Sequence, residues 1–314
     1  MDFSDLQDRL LFAVPKKGRL HEQCVALLNG GDIQFHRRNR LDIALSTNLP
    51  IALVFLPAAD IAKFVGEGNV DLGITGQDMV AENGANVEEI LKLGFGKCSL
   101  CVQTPTSTSY KSSKDLVGKR IVTSFESVVG RYFGALEAGM DETQASAALW
   151  DHTATIPLPK QTTINYVSGS VEAACALGLA DAIVDLVESG ETMRAAKLHP
   201  ITTVLTTEAV LICNPAKHNT NPLIEMIKRR IEGVIAAQRY VLCNYNIPRE
   251  KLKEAVAITP GKKAPTVSPL EDNDWVAVSS MVNKKEVADI MDKLEKVGAI
   301  DVLVFAIQNC RVGN

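Results

Sequence analysis

The chain has 314 residues, 46% of them apolar and 22% charged, with a formal net charge of −4. That length exceeds one average domain and predicts two or three compact units with ample core. No block of Lys or Arg stands out, which argues against a nucleic-acid or membrane-surface protein, so any anionic ligand must be held locally.

The segment Met1–Arg9 is acidic and lacks an apolar run, predicting neither a signal nor a transit peptide. No window approaches the ~20 apolar residues of a membrane span, and the expected location is the cytoplasm. The seven cysteines (Cys24, Cys98, Cys101, Cys175, Cys213, Cys243, Cys310) are scattered. Cys98 and Cys101 have C-x-x-C spacing, but no second pair or nearby His completes a zinc site. Thiols in a reducing compartment are expected.

In chain order, Leu10–Val14 predicts a strand, followed by Lys17-Gly18-Arg19 and a helix near His21–Leu28. Ile51–Phe55 is a second strand, Asp60–Glu67 a helix closed by Gly68, and Val70–Ile74 a strand ending at Thr75-Gly76. Leu100–Gln103 is a candidate crossing between lobes. The pattern then restarts. Ile121–Thr123 is a strand, with a helix from Ser124 through Phe133; Ser170 is a candidate N-cap for a helix over Val171–Leu177. Asp181–Val187 is a strand, and Glu188–Thr192 the loop after it. Gly68-x-x-Asp71 and Gly178-x-x-Asp181 echo each other: helix, Gly stop, turn, Asp, strand. The echo suggests two similar α/β lobes presenting strand ends to a shared cleft.

Pro222–Gln238 follows as a helix with Ile224, Ile227, Ile231, Val234 and Ile235 on one stripe. Beyond it the strands Arg239–Tyr245, Ala264–Ser268, Trp275–Ser280 and Ile300–Ile307 alternate with helices over Pro248–Val256 and Lys284–Val297. That βαββαβ order is the ferredoxin-like arrangement. The expected division is 1–103 with about 211–238 as lobe one, 104–210 as lobe two, and 239–314 as a separate module.

Two segments carry candidate chemistry. Asp185, near a strand end, leads into a loop with Ser189, Gly190 and Thr192. A phosphate monoester wants backbone N–H and hydroxyl donors on such a loop, and a ribose wants a carboxylate that accepts from vicinal hydroxyls. The same segment also reads as an ordinary strand–loop–helix connection with Asp and Ser as turn formers. Lys16-Lys17-Gly18-Arg19 brings cations and a permissive Gly to a strand end; the plain alternative is a solvated basic turn, whose Arg would contribute little to stability. Asp71 and Gly76 are lobe-one candidates at the strand 70–74, with Asp71 equally a turn cap. His21, His36, His152, His199 and His218 form no spacing that reads as ligand or base.

The run Glu172-x5-Gly178-x-Ala180-x2-Ile183-x-Asp185-Leu186-x2-Ser189-Gly190-x-Thr192-Met193 resembles the phosphoribosyl diphosphate loop of the ATP phosphoribosyltransferases of histidine biosynthesis. The resemblance extends through Pro15–Arg19, Val70–Gly76, Val167–Glu172, Thr259-Pro260-Gly261, Ala264-Pro265-Thr266, Asp274–Ala277 and Cys310-Arg311. Phe55–Ile61 is similar to the fungal branch. The resemblance implies two periplasmic-binding-protein-like lobes plus an ACT-like regulatory domain in a homohexamer inhibited by L-histidine. It implies magnesium-dependent transfer of phosphoribosyl to N1 of ATP, with Arg19 and Asp185 catalytic. Glu172, Asp185, Ser189, Gly190 and Thr192 would hold phosphoribosyl diphosphate. Lys16, Lys17, Gly18 and Arg19 would serve ATP or diphosphate, with Asp71 and Gly76 beside them. Metal ligands and histidine contacts are not assigned; Asn246 and Ser280 match no motif. Many relatives carry an Arg where this chain has Pro57 or Ala58, leaving that cation to come from elsewhere. A solute-binding protein would share the lobes, and a prephenate dehydratase both lobes and tail. The latter carries Thr-Arg-Phe where this chain has Thr123-Ser124-Phe125.

Overall fold

The computed structural model describes residues 6–37, 41–151, 154–218 and 220–311. His152 lies outside them. The chain divides into two compact units, Met1–Cys24 with Phe35–Ile224, and Val25–Gln34 with Glu225–Asn314.

The first unit holds two sheets. In the first, β1 (Leu10–Pro15) pairs in parallel with β3 (Ile51–Leu56) and β4 (Leu72–Gly76). These are near-continuous apolar runs, as parallel strands buried on both faces must be. Short β2 (Ile43–Leu45) adds antiparallel to β3. At the other edge β11 (Ala209–Cys213) lies antiparallel between β4 and β5 (Glu88–Lys92). Helix α1 (His21–Gly30) follows β1, α2 (Ala58–Gly66) follows β3, and α3 (Gln77–Asn83) follows β4. Ile61 and Val65 of α2 pack against Ala13, Val210 and Ile212. Gly73 permits that approach, since a Cβ there would meet Ile61 Cγ2 at 2.7 Å.

The second sheet repeats the core of this pattern. There β7 (Arg120–Thr123) pairs in parallel with β8 (Thr163–Tyr166) and β9 (Ala182–Val187). Then β6 (Cys98–Pro105) adds antiparallel to β9, and β10 (Leu198–Thr207) antiparallel to β6. One face packs on α4 (Glu126–Glu137) and α5 (Glu142–Ala148) through Val128, Tyr132, Phe133 and Ala145. The other packs Ile183 and Val122 against Val171, Ala174 and Met193, near α6 (Ala173–Ala176) and α7 (Glu191–Ala195).

The Gly-x-x-Asp echo has a structural counterpart. Asp71 N donates to Leu11 O at 3.0 Å while Leu11 N donates to Asp71 Oδ2 at 2.9 Å. Asp181 N donates to Arg120 O at 2.9 Å while Arg120 N donates to Asp181 Oδ2 at 2.9 Å. Each carboxylate thus clips the start of an interior strand of its lobe's sheet, the turn-cap role open for Asp71 from sequence.

Helix α8 (Pro215–His218) and helix α9 (Pro222–Arg239) follow β11. In the second unit β12 (Tyr240–Pro248), α10 (Leu252–Ile258), β13 (Thr266–Pro269), β14 (Trp275–Asn283), α11 (Val287–Lys296) and β15 (Ile300–Ala306) follow in order. The antiparallel sheet runs β13-β14-β12-β15, completing the ferredoxin-like topology expected from the element order. β12 and β14 alternate buried and half-buried residues along their length, as strands with one covered face do.

Several elements differ from the sequence expectation. The helix after Ser170 is only Ala173–Ala176, because Ser170 turns left-handed at φ 53° and tight bonds from Ala173 N and Ala174 N precede the helix. The strand expected over 70–74 is shifted to 72–76, since Asp71 is occupied clipping Leu11. The expected lobe boundary at 103/104 falls inside β6, a strand wholly of the second sheet. Likewise the break between compact units falls within α9, at Ile224/Glu225.

Candidate active site

Ligands of open α/β sheets bind beyond the carboxyl ends of parallel strands. In the first sheet those ends lead into Lys16–Arg19, Pro57-Ala58 and Gly76–Asp78; in the second, β9 leads into Glu188–Thr192. Three adjoining cavities occupy the space between. One of about 280 Å³ is lined by Arg19, Cys98 and the run Leu186–Met193. A second, about 230 Å³, lies against Lys17, Gly18, Arg19, Gly76 and Asp78. The third, about 430 Å³, extends past Cys98 and Glu188 to Lys92, Lys97 and Thr207.

Arg19 is the residue the first two cavities share on the β1 side. Gly18 precedes it at φ 89°, a backbone state suited to glycine. Its Nη1 donates to Gly96 O at 2.8 Å and contacts Cys98 Sγ at 2.9 Å, and its Nη2 lies 3.8 Å from Asp78 Oδ2. Gly96 must be glycine for this arrangement: it sits at φ 65°, and a Cβ would collide with Leu20 Cδ2. The Asp78 side chain is 3% exposed against 31% for Arg19. Thr207 Oγ1 donates to Asp78 Oδ1 at 2.7 Å and accepts from Asp78 N at 3.0 Å. A Cβ at Gly76 would strike that carboxylate, so the Gly at the end of β4 makes room for it. Burial pushes the Cys98 thiol up against the opposing pull of Arg19, keeping it an uncharged neighbour of the guanidinium.

Asp185 is half-buried on β9, on the face shared with Ile183. Its Oδ1 accepts from Leu186 N at 2.8 Å. Burial raises its pKa above the ordinary carboxylate range, the Leu186 N–H opposes this, and the like charge of Glu172 adds to it. Glu172, just before α6, therefore faces Asp185 closely enough for their charges to interact. Gly190 takes φ 75° at the start of α7, and Arg194 Nη2 donates to Ser189 O at 3.1 Å, bracing the turn. Ser189, Gly190, Glu191 and Thr192 all line the cavity opposite Arg19.

Of the residues singled out from sequence, Lys17, Gly18, Arg19, Gly76, Ser189, Gly190 and Thr192 come together at these cavities. Asp71 does not. It precedes β4 at the end away from Gly76, clips Leu11 and lies 3.6 Å from Lys217 Nζ. Lys16 is directed to Asp42, with Nζ 2.8 Å from Oδ2. Arg37 also pairs with Asp42 and stacks over Phe55, its Cζ 3.9 Å from the ring centroid. A guanidinium thus lies over Phe55, near the carboxyl end of β3. Sequence reasoning missed Asp78, whose partners Thr207 and Arg19 are remote in the chain. It also missed Glu82 on α3, whose carboxylate accepts from Ser127 N and Val128 N, both at 2.9 Å, linking the lobes.

Fold and cleft together define a two-lobed α/β protein with a cation on one wall, a hydroxyl- and glycine-bearing loop on the other, and a ferredoxin-like module attached. The ATP phosphoribosyltransferase family model matches residues 57–233, and the model for the HisG C-terminal domain matches residues 237–309. The ATP phosphoribosyltransferase of Yarrowia lipolytica is 60% identical over 98% of this chain and 99% of its own length. That of Saccharomyces cerevisiae is 54% identical over 98% of each chain. A chain of the ATP phosphoribosyl transferase (HisG:HisZ) complex from Thermotoga maritima shares the fold. It has a TM-score of 0.55 at 22% identity, and the match covers 71% of this chain and 98% of that one. This chain belongs to the ATP phosphoribosyltransferase family.

Proposed function

We propose that the protein transfers the phosphoribosyl group of phosphoribosyl diphosphate to N1 of ATP, releasing diphosphate, as the first step of L-histidine biosynthesis. The observation that carries this reading is the facing of Arg19 and the 188–193 loop across one cavity, with Asp185 at the root of the loop. Adenine N1 already carries a lone pair, so attack on the anomeric carbon needs no base. As the bond to diphosphate breaks, the sugar gains oxocarbenium character and negative charge moves to the leaving group. Catalysis then rests on alignment and charge placement. Asp185 and Glu172 accept from the ribose hydroxyls. Ser189, Thr192 and the backbone around Gly190 donate to the 5-phosphate, and Arg19 and Lys17 attract the diphosphate.

The family uses a divalent metal, and magnesium suits these residues. Glu188 and Glu191 line the same cavity and offer the hard oxygen donors it takes, alongside the substrate's own phosphate oxygens. When bound it neutralises charge on the departing diphosphate. The second unit is read as a histidine-sensing module and the assembly as a homohexamer. Support for assembly comes from β15, an edge strand with exposed Ile300, Leu303 and Phe305. Ser280, noted from sequence, is buried and donates to Thr259 O at 2.9 Å; Asn246 donates to Asp301 Oδ2 at 3.1 Å. Among the described residues no helix is long and apolar enough to cross a membrane.

The test is to mix the protein with ATP, phosphoribosyl diphosphate and magnesium and follow diphosphate release together with absorbance on the red side of the adenine band. Asp185→Asn and Thr192→Ala should each weaken phosphoribosyl diphosphate about tenfold or more, and ATP far less. No release, or equal losses for both substrates in folded variants, would count against the assignment.

A further inference from the structure

Three side chains converge at the end of the first sheet away from the cleft. Cys213, the buried last residue of β11, is the register partner of Glu88, the first residue of β5. His218, the last residue of α8, has its Nδ1 2.8 Å from Glu88 Oε2. One ligand atom from each of the three, the Cys sulfur, a His ring nitrogen and a Glu oxygen, lies within 4.8 Å of the others. The register fixes how far this cluster is from the cleft. Cys213 pairs with Leu72 and Ala209 with Gly76, so four residues of strand, about 13 Å, separate it from the catalytic end.

A tetrahedral zinc ion, with bonds of about 2.3 Å to sulfur and 2.0–2.2 Å to nitrogen or oxygen, holds its ligand atoms roughly 3.3–3.6 Å apart. Here the His218 and Glu88 atoms are 2.8 Å apart and all three lie within 4.8 Å of one another, so small side-chain adjustments bring them to one ion. Thiolate, imidazole and carboxylate form a borderline-soft set that favours zinc-class metals over magnesium or calcium. Three protein ligands leave a fourth position for water or an external donor.

We infer that Glu88, Cys213 and His218 form a binding site for a zinc-class divalent ion, separate from any magnesium used at the substrates. The ion ties β5, the end of β11 and α8 together. β5 lies more than a hundred residues before β11 and α8 in the chain, and as an edge strand it has β11 as its paired neighbour in the sheet. Binding deprotonates the Cys213 thiol and takes His218 as the neutral imidazole, so it strengthens as pH rises and releases protons.

The probe is Co²⁺, titrated into chelator-stripped full-length protein. Wild type should take up one equivalent, showing sulfur-to-cobalt charge transfer in the near ultraviolet and visible bands of a tetrahedral ion, both displaced by Zn²⁺. Cys213→Ser should abolish the charge-transfer band. His218→Gln, at a half-buried position, should lose the tetrahedral spectrum and the rise in thermal midpoint that Zn²⁺ gives wild type. Absence of the band in wild type overturns the inference, as does a band that survives in both variants, which would place the sulfur at another cysteine.

Discussion

Arg19 illustrates how a single side chain can serve stability and chemistry at once. A loop arginine would ordinarily contribute little to stability, the expectation its sequence position suggests. Its neighbour Asp78 is buried, however, and removing the cation leaves that carboxylate with Thr207 as its hydroxyl partner. Uncompensated buried charge is costly. Arg19→Ala should therefore lower turnover and also cost about 1–3 kcal/mol of stability. The double change Arg19→Ala with Asp78→Asn should recover the stability without the turnover. If denaturant midpoints show no recovery, the two side chains are not coupled. Asp185 gives a pH-dependent counterpart. Its pKa is raised, so phosphoribosyl diphosphate affinity should fall as pH drops through a point above the ordinary Asp range. Removing the adjacent like charge with Glu172→Gln lowers that pKa, and the acid limb of the affinity profile should move to lower pH. A limb that stays in place or moves up would show that Glu172 does not act on Asp185.

At the scale of elements, the paired clips at Asp71 and Asp181 do for both lobes what a cap does for a helix. Each satisfies backbone groups where an interior strand begins. The Arg120 guanidinium and N–H groups hold the Asp181 carboxyl below its usual range, with the side-chain bond the largest cause. A depressed pKa means the contribution is complete above the unfolded Asp value and is lost as pH falls through the folded one. Asp181→Asn should thus destabilise by about 1 kcal/mol at neutral pH, solvent at half-exposed Arg120 moderating the loss, and the gap from wild type should close in acid. A gap that persists unchanged would assign the effect to packing. The backbone that each Asp clips lies 60 or 61 residues upstream and was not legible in the sequence. The echo behind these clips was legible, because each Asp follows a Gly stop by three positions and leads into a strand. So were β1, β3, β9 and the βαββαβ order, whose apolar periods are strong. The strands β5 and β10 were not. The sequence Glu88-Glu89-Ile90-Leu91-Lys92 is largely exposed, and β10 carries Pro200 and two register breaks. Asp78 and Glu82 were invisible for another reason. Their partners are remote in sequence, and no spacing announces a contact made only by folding.

For the whole molecule, the division into units has a bearing on regulation. The second unit includes Val25–Gln34, where Asn309 Nδ2 donates to Gly30 O and Arg230 Nη1 to Asp32 O, both at 2.8 Å. Cutting the chain near Gln238 would strip part of this unit of its partners, so an intact-chain measurement is the cleaner test of histidine sensing. Added histidine should slow amide hydrogen exchange within 239–311. Protection confined to the Arg19 and Asp185 segments would instead mean that histidine competes in the cleft. Any coupling of about 1–3 kcal/mol between the sites would suffice for a useful switch.

The insertion of β11 between β4 and β5 also sets an order of events during synthesis. When Glu88–Lys92 leaves the ribosome, its partner strand Ala209–Cys213 does not yet exist. At about 5–20 residues per second the wait is on the order of ten seconds, far longer than local helices need to form. During that interval β4, buried along its whole length in the finished fold, presents an open edge, the kind of surface that invites pairing between nascent chains. The second lobe waits too, because β9 must insert between β6 and β7, but β9 is complete at Val187 whereas β11 is complete only at Cys213, so the core of the second sheet can close before that of the first. Released fragments ending near residue 200 should show exchange protection in β7 and β9 but not in β4, and fragments ending past residue 220 in all three. Protection of β4 in the shorter chains would mean that the first lobe closes without its missing strand.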